Sequence, residues 1–225
     1  MAVTPPVSRL APVRPVRAHL VPERPNNTSV YAAPTLGQWN RGIGLYLGYP
    51  VLEARFALGL LDRLNGGVSF DTMYGAMNEV RLHFKWQLSA SDHWVASVAT
   101  EGGPAFFKDS AQNEFHGPRY LTGHRDWNWD AGMVLTYRAG GARSPRLFLD
   151  GRCALAFDTE PFSVSPLGGV PPPVAVAGNA VIRAGAEMPF TAGTSFLFSL
   201  GFDVHGFAQD SQVMVAAAVG VVFGV

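Results

Sequence analysis

The sequence predicts an all-β chain: a single transmembrane antiparallel up-and-down β-barrel of about ten strands, behind an extended Pro-rich N-terminal arm. Three observations carry this reading. First, residues 78–88 alternate without a break. Val80, Leu82, Phe84, Trp86 and Leu88 fall on one side, and Glu79, Arg81, His83, Lys85 and Gln87 on the other. Successive side chains of a strand point to opposite faces, whereas a helix would spread both sets around its circumference. Second, the run is long. Globular strands average about 5–6 residues, while a tilted strand crossing a bilayer needs about 9–11. Third, hydrophobic residues make up 48% and charged residues only 15% of the 225, against about 25% charged in typical soluble domains. Yet no uninterrupted apolar stretch reaches the roughly 18–20 residues of a membrane-spanning helix.

Taken in order, residues 1–36 form the arm, with Pro5, Pro6, Pro12, Pro15, Pro22, Pro25 and Pro34 and a basic set of Arg9, Arg14, Arg17 and Arg24. Proline removes backbone donors and favours extended conformations, so a flexible leader or an extended docking peptide is expected. The barrel domain spans 37–225, and its first strand begins near Arg41. Segment 42–48 puts Ile43, Leu45 and Leu47 on one face. Segment 51–61 opposes Leu52, Ala54, Phe56, Leu58 and Leu60 to Glu53 and Arg55. Residues 61–67 (Leu-Asp-Arg-Leu-Asn-Gly-Gly) read as a hairpin turn. Segment 67–74 sets Val68 and Phe70 against Ser69 and Asp71, and 78–88 follows. After the turn Ser89–Asp92, segment 93–101 puts Trp94, Ala96 and Val98 outward.

A long polar connection is expected over 102–127. Segment 128–138 sets Met133, Leu135 and Tyr137 against Asp130, Thr136 and Arg138. A Gly/Ser/Pro turn at 139–145 leads to segment 146–157, with Leu147, Leu149, Cys153, Leu155 and Phe157 opposite Asp150 and Arg152. A second long connection covers 158–177. Segment 179–188 opposes Ala180, Ile182, Ala184, Ala186 and Met188 to Arg183 and Glu187. Segment 195–205 sets Phe196, Phe198, Leu200, Phe202 and Val204 against Ser195, Ser199, Asp203 and His205, and 212–224 closes the count. The long connections follow strands five and seven and so share one end; the short turns after strands two, four, six and eight share the other. Long loops outside and short turns on the periplasmic side are the outer-membrane pattern.

Alternation alone also fits a soluble barrel with its apolar face inside. Strand length, small residues on the polar faces (Gly201, Ala216, Ala218, Gly220), and aromatics near strand ends (Tyr46, Phe84, Trp86, Trp94, Trp129, Tyr137, Phe157, Phe223) favour lipid outside. With these residues, and with the strand–turn–strand pattern Ala57-Leu58-Gly59-Leu60-Leu61-Asp62-Arg63-Leu64-Asn65-Gly66-Gly67, residues 38–225 resemble the small outer-membrane β-barrel proteins of Gram-negative bacteria. The resemblance implies location in the bacterial outer membrane, with membrane lipid as the surrounding partner. It rests on pattern rather than a diagnostic motif, and Phe223 followed by Gly224 and Val225 departs from the aromatic C-terminus common in that group. Such proteins are exported behind a signal peptide. Residues 1–30 contain no apolar h-region, so the chain reads as a mature form behind an added Met1.

The polar faces define an expected lumen charge network: Glu53, Arg55, Glu79, Arg81, His83, Lys85, Asp150, Arg152, Arg183, Glu187, Asp203 and His205, with Asp71, Asp130 and Arg138 on the same faces. Confined charges must pair, because an unpaired buried charge costs several kcal/mol. Eight-stranded barrels fill with side chains and open channels come near sixteen strands, so a barrel of about ten is expected to be closed or narrowly permeable. Asp203 and His205 at i, i+2 resemble the Asp-x-His element of omptin proteases, ten-stranded barrels too, but no paired acidic element stands opposite. His116 and His124, with Asp109 and Glu114, match no metal spacing. Cys153 alone can form neither an intrachain disulfide nor a cysteine cluster, and its place far from the start fits no lipoprotein anchor. Lys+Arg and Asp+Glu are equal at 17 each, so no nucleic-acid partner is indicated. No nucleotide or nucleophile motif is present, and no cofactor is expected. The functional expectation is a non-enzymatic scaffold or surface component of the envelope, with loops outside and the basic arm meeting periplasmic or envelope protein partners. A narrow porin for small solutes is the alternative, and an omptin-like hydrolase using Asp203 and His205 the weaker one.

Overall fold

The structure, a computed structural model, describes residues 26–49, 51–108, 125–141, 144–159, 174–205 and 213–225. Ten antiparallel strands appear in chain order: β1 Arg41–Tyr49, β2 Leu52–Leu61, β3 Leu64–Thr72, β4 Met77–Ala90, β5 Trp94–Phe107, β6 Arg125–Arg138, β7 Arg146–Asp158, β8 Ala175–Pro189, β9 Thr194–His205 and β10 Val213–Gly224. Each pairs with its sequence neighbours, and β1 pairs with β10 from Gly42↔Gly224 to Tyr49↔Ala217, closing the barrel. Closure leaves no unpaired edge.

The side-chain period of two sorts the chain into an inside and an outside. β4 alternates from buried Glu79, Arg81, His83 and Lys85 to exposed Val80, Leu82, Phe84 and Trp86. β9 buries Ser195, Ser199 and Asp203 and exposes Phe196, Phe198, Leu200 and Phe202. The polar faces therefore line the lumen and the apolar faces form the exterior, the arrangement opposite to a soluble barrel. Exposed aromatics gather toward both ends: Trp39, Trp86, Trp94, Phe190 and Phe223 at the turn end, and Tyr49, Tyr74, Phe106, Trp127 and Trp129 at the loop end. Tyr46 departs from its expected place in this set, because its parity on β1 turns it inward, where it is 8% exposed.

Several strands are longer than the sequence suggests. β5 continues to Phe107 and β6 starts at Arg125, so the connection expected over 102–127 shrinks to 108–124. Gly102-Gly103-Pro104 reads as a break, but here it is strand. A Cβ on Gly103 would lie 1.9 Å from the Val80 carbonyl oxygen, so the close approach requires glycine. The ladder to β4 passes from Leu82↔Gly102 to Glu79↔Ala105 around Pro104, which has no N–H to donate. Likewise β8 starts at Ala175 rather than 179, and β3 at Leu64, which reduces the hairpin turn to Asp62 and Arg63.

Residues 26–36, part of the expected arm, do not lie outside the barrel. They enter the lumen from the turn end, dip to Tyr31, and return to the rim before β1. At the point of exit the Gly37 carbonyl oxygen passes so close to Gly59 that a Cβ there would sit 1.8 Å away. Residues 1–25 lie outside the described residues.

Candidate functional site: a plugged, charged lumen

Two polar assemblies occupy the interior. The first is centred on Glu101 of β5. Its carboxylate accepts from Arg55 Nη2 of β2 at 2.7 Å and pairs with Arg81 Nη1 of β4 at 3.3 Å and with Arg152 Nη1 of β7. Each guanidinium also holds a second carboxylate. Arg55 Nε donates to Glu53 at 2.5 Å, Arg81 pairs with Asp130 and lies 3.3 Å from Glu79, and Arg152 grips Asp150 through Nε and Nη2 at 2.8–2.9 Å. Arg81 also lies 3.6 Å from Asp71, and Asn128 Nδ2 donates to Glu79 at 3.1 Å. The alternation that makes these strands amphipathic puts the charges on one wall, β2 to β7, where planar guanidiniums can bridge neighbouring carboxylates.

The second assembly holds residues 26–36. Glu187 Oε1 of β8 accepts from the backbone N–H of Tyr31 at 2.9 Å and of Ala32 at 3.0 Å. Lys85 Nζ donates to the carbonyls of Ala32 at 2.5 Å and Val30 at 3.2 Å. Arg146 Nη1 donates to the Thr28 carbonyl at 2.6 Å and to Glu187 Oε2 at 3.2 Å, and Nη2 donates to the Asn26 carbonyl. Ala33 is held on both sides, its N–H donating to Thr136 Oγ1 at 2.8 Å and its carbonyl accepting from Ser97 Oγ at 2.6 Å. Leu36 N–H donates to Asn65 Oδ1 at 3.1 Å, and Asn26 Nδ2 donates to the Thr191 carbonyl at 2.7 Å at the β8–β9 turn. A buried loop must find partners for its backbone groups. Here the barrel wall supplies them.

The packing is shaped to the segment as well. The Tyr31 ring stacks on Tyr46, centroids 5.1 Å apart, with the Arg55 guanidinium 5.0 Å from its centre. A Cβ on Gly44 would lie 2.8 Å from the Tyr31 ring, and one on Gly42 3.0 Å from Val30. Ala32 and Ala33 are buried against inward-facing Val95, Val134, Phe148 and Leu197, an apolar patch inside an otherwise polar lumen.

Spaces remain around and beyond the segment. A cavity of about 40 Å³ lies on the loop side of Tyr31, lined by Tyr46, Glu53, Arg55, Glu101, Asp130, Arg152 and Arg183 and by the apolar Phe148 and Val181. A cavity of about 20 Å³ continues past Tyr46, Gly48, Asp71 and Ser199. On the turn side, Asn26, Asn27, Pro34, Thr35, Gln87 and Arg138 border a vestibule of about 410 Å³. Loop-side of Tyr31, the described inward carboxylates are Glu53, Asp71, Glu79, Glu101, Asp126, Asp130, Asp150, Asp158 and Asp203; the inward guanidiniums there are Arg55, Arg81, Arg152 and Arg183.

Of the expected network, Glu53, Arg55, Glu79, Arg81, Asp150 and Arg152 are brought together at Glu101, and Lys85 and Glu187 at the inserted segment. His83 does not meet Glu79; its Nε2 lies 3.0 Å from the Phe56 carbonyl. Asp203 Oδ1 lies 3.5 Å from Arg183 Nη2. His205 ends β9 with its backbone paired to Asn179, and its side chain lies outside the described residues, as do His116, His124, Asp109 and Glu114. Arg138 reaches the Ser91 carbonyl at the rim, at 3.0 Å. Glu101, Arg146 and Tyr46 carry much of the interior and were not expected there. Their signal is parity, already present in the expected strands: Tyr46 falls opposite Ile43, Leu45 and Leu47, Glu101 opposite Trp94, Ala96 and Val98, and Arg146 on the face of Asp150 and Arg152. No group of three or more metal-ligating side chains occurs among the described residues.

The geometry defines a closed ten-stranded antiparallel β-barrel with an apolar exterior and a polar, internally plugged lumen. Comparison with solved structures finds distant likenesses. One is a bacterial polysaccharide outer membrane secretin, at 10% identity and TM-score 0.43, covering 79% of this chain and 57% of that one. Another is the N-terminal β-barrel domain of Pseudomonas aeruginosa OprF, at 13% identity and TM-score 0.36, covering 84% and 99%. A third is Ail, the attachment invasion locus protein of Yersinia pestis, at 11% identity and TM-score 0.37, covering 83% and 97%. The chain thus spans little more than half of the secretin's length. No protein-family model and no curated protein sequence matches the chain.

Proposed function

We propose that the protein is a non-enzymatic outer-membrane β-barrel whose resting lumen is shut, serving as a membrane-embedded scaffold or surface component of the cell envelope. The observation that carries the reading is the pairing of an apolar, aromatic-banded exterior with an interior occupied by the chain's own residues 26–36. Exposed Leu45, Leu82, Leu149, Leu200 and Val215 would be a large aggregation liability in water and are suited to hydrocarbon. Short turns stand on the periplasmic side and long connections outside, so residue 26 starts at the periplasmic mouth. Periplasmic or envelope protein partners are the proposed contacts of the basic set Arg9, Arg14, Arg17 and Arg24. Of the pair in the weaker hydrolase alternative, Asp203 lies 3.5 Å from Arg183, and the His205 side chain lies outside the described residues.

Membrane fractionation with a heat-modifiability gel tests the location. A faster-migrating unheated form in the outer-membrane fraction is expected, and a compact monomer that stays soluble without detergent would refute it. Planar-bilayer recording of the full chain tests the shut lumen, where the expected trace is silent. Frequent discrete openings of the unaltered protein would favour the constitutive porin instead.

A further inference from the structure

We infer that residues 26–36 are a displaceable plug, and that their withdrawal toward the turn end opens a narrow, cation-preferring aqueous pore. The inference rests on the membrane reading above and adds a conducting state to it. Residues 26–36 stand between the cavity of about 40 Å³, which Tyr31 lines, and the turn-side vestibule of about 410 Å³, which Asn26, Asn27, Pro34, Thr35 and Leu36 line. About 10–15 Å³ suffices for one water, so the loop-side space is of a size to be wet. The segment, not the wall, separates the two.

The wall is built around this occupant. Gly42 and Gly44 leave room where side chains would strike Val30 and Tyr31, and Glu187, Lys85 and Thr136 bond its backbone, not its side chains. Strand pairing does not depend on the segment, because β1 through β10 close the ladder among themselves. Withdrawal would therefore leave the barrel intact. It would uncover the apolar patch around Val95, Val134 and Phe148, which opposes opening and makes the plugged form the resting one. Beyond Tyr31, among the described residues, inward carboxylates outnumber guanidiniums nine to four. An acidic excess in a low-dielectric channel raises the local concentration of cations.

The test uses the full chain with Gly44→Leu, which drives a side chain into the place of Tyr31, and Tyr31→Pro, which removes the ring and the N–H bonded to Glu187 while leaving the wall untouched. Both are also made with Cys153→Ser and Ala33→Cys as a reporter of the plug. Reaction of that thiol with a charged methanethiosulfonate should rise by about tenfold or more, the factor matching loss of one buried contact. In a KCl gradient both variants should show discrete steps, with a reversal potential favouring K⁺ over Cl⁻, while the parent stays silent. Heat-modifiable variants with a reactive thiol and no conductance would overturn the pore alone. Preference for Cl⁻, or equal conductance by the parent, would overturn it too. Loss of heat modifiability in the parent would overturn the membrane reading beneath it.

Discussion

Replacing Glu101 by glutamine should destabilise the barrel more than any other single carboxamide substitution in the lumen. Three guanidiniums converge on this carboxylate, which is 2% exposed. Charge-assisted hydrogen bonds contribute about 1.5–3 kcal/mol each, so simple addition gives about 4.5–9 kcal/mol. That sum is an upper bound for two reasons. Glutamine keeps one carbonyl acceptor of the same shape. Arg55 also retains Glu53, Arg81 retains Asp130, and Arg152 retains Asp150. Breaking a buried ion pair by removing one partner costs about 3–5 kcal/mol, and the loss should fall in that range. Glu53→Gln is the internal comparison, because Glu53 lies nearer the loop-end rim and meets Arg55; about 1.5–3 kcal/mol, one charge-assisted hydrogen bond, is expected there. Urea unfolding of the bilayer-inserted protein, followed by tryptophan fluorescence, measures both. A loss below about 1 kcal/mol for Glu101→Gln, or equal losses for the two variants, would refute a network centred on Glu101.

Arg146→Met strands Glu187 and frees the carbonyls of Asn26 and Thr28; a loss of about 3–5 kcal/mol, with earlier protease cleavage near residue 28, is expected, and an unchanged cleavage pattern would count against it. Leu200→Arg places a charge at the middle of β9 on the exterior; bilayer stability should fall by about 2–4 kcal/mol, and a change within about 0.5 kcal/mol would mean that face does not meet hydrocarbon. Cys153, exposed on the outward face of β7, should react in proteoliposomes with an apolar maleimide and resist a charged one; equal reaction with both would place it in water.

The strand order, the ten-strand count and the inside–outside assignment were legible because a buried polar face and an exposed apolar one impose a strict period of two, as in 78–88. Strand ends were less legible. Gly102-Gly103-Pro104 has the composition of a loop, and what keeps it in a strand is close approach to the Val80 carbonyl, a tertiary fact. That misreading also hid Glu101, which stood at the last residue of a strand thought to be ending. Tyr46 was taken for an interfacial aromatic although Gly44 and Gly48 share its parity. Gly42 shares it too, and three glycines on one side of β1 mark a face that must leave room for something.

The inserted segment was hidden for a different reason, and its trace lay in the strands rather than the arm. Asn26 to Leu36 carries no charge and no periodicity, because most of the wall's bonds go to its backbone, whose groups any extended sequence offers. The strands, by contrast, break their alternation in particular places: Met133-Val134-Leu135, Leu147-Phe148-Leu149, Phe196-Leu197-Phe198 and Val221-Val222-Phe223 each put an apolar side chain inward between two outward ones. In the fold these positions lie toward the turn end and pack against Val30, Ala32, Ala33 and Leu36. A lumen open to water has no reason to be apolar there. A ten-stranded barrel is also wider than side chains alone fill easily. Inward Val134, Phe148, Leu197 and Val222 therefore call for an apolar occupant, and the nearest chain able to reach them is the stretch leading into β1. Substituting Val134 or Leu197 with serine should loosen the segment while sparing the strand ladder. Greater thiol reactivity at Ala33→Cys with an unchanged heat-modifiable migration is the expected pair of results, and a shift in migration without greater reactivity would mean that the patch holds the barrel rather than the plug.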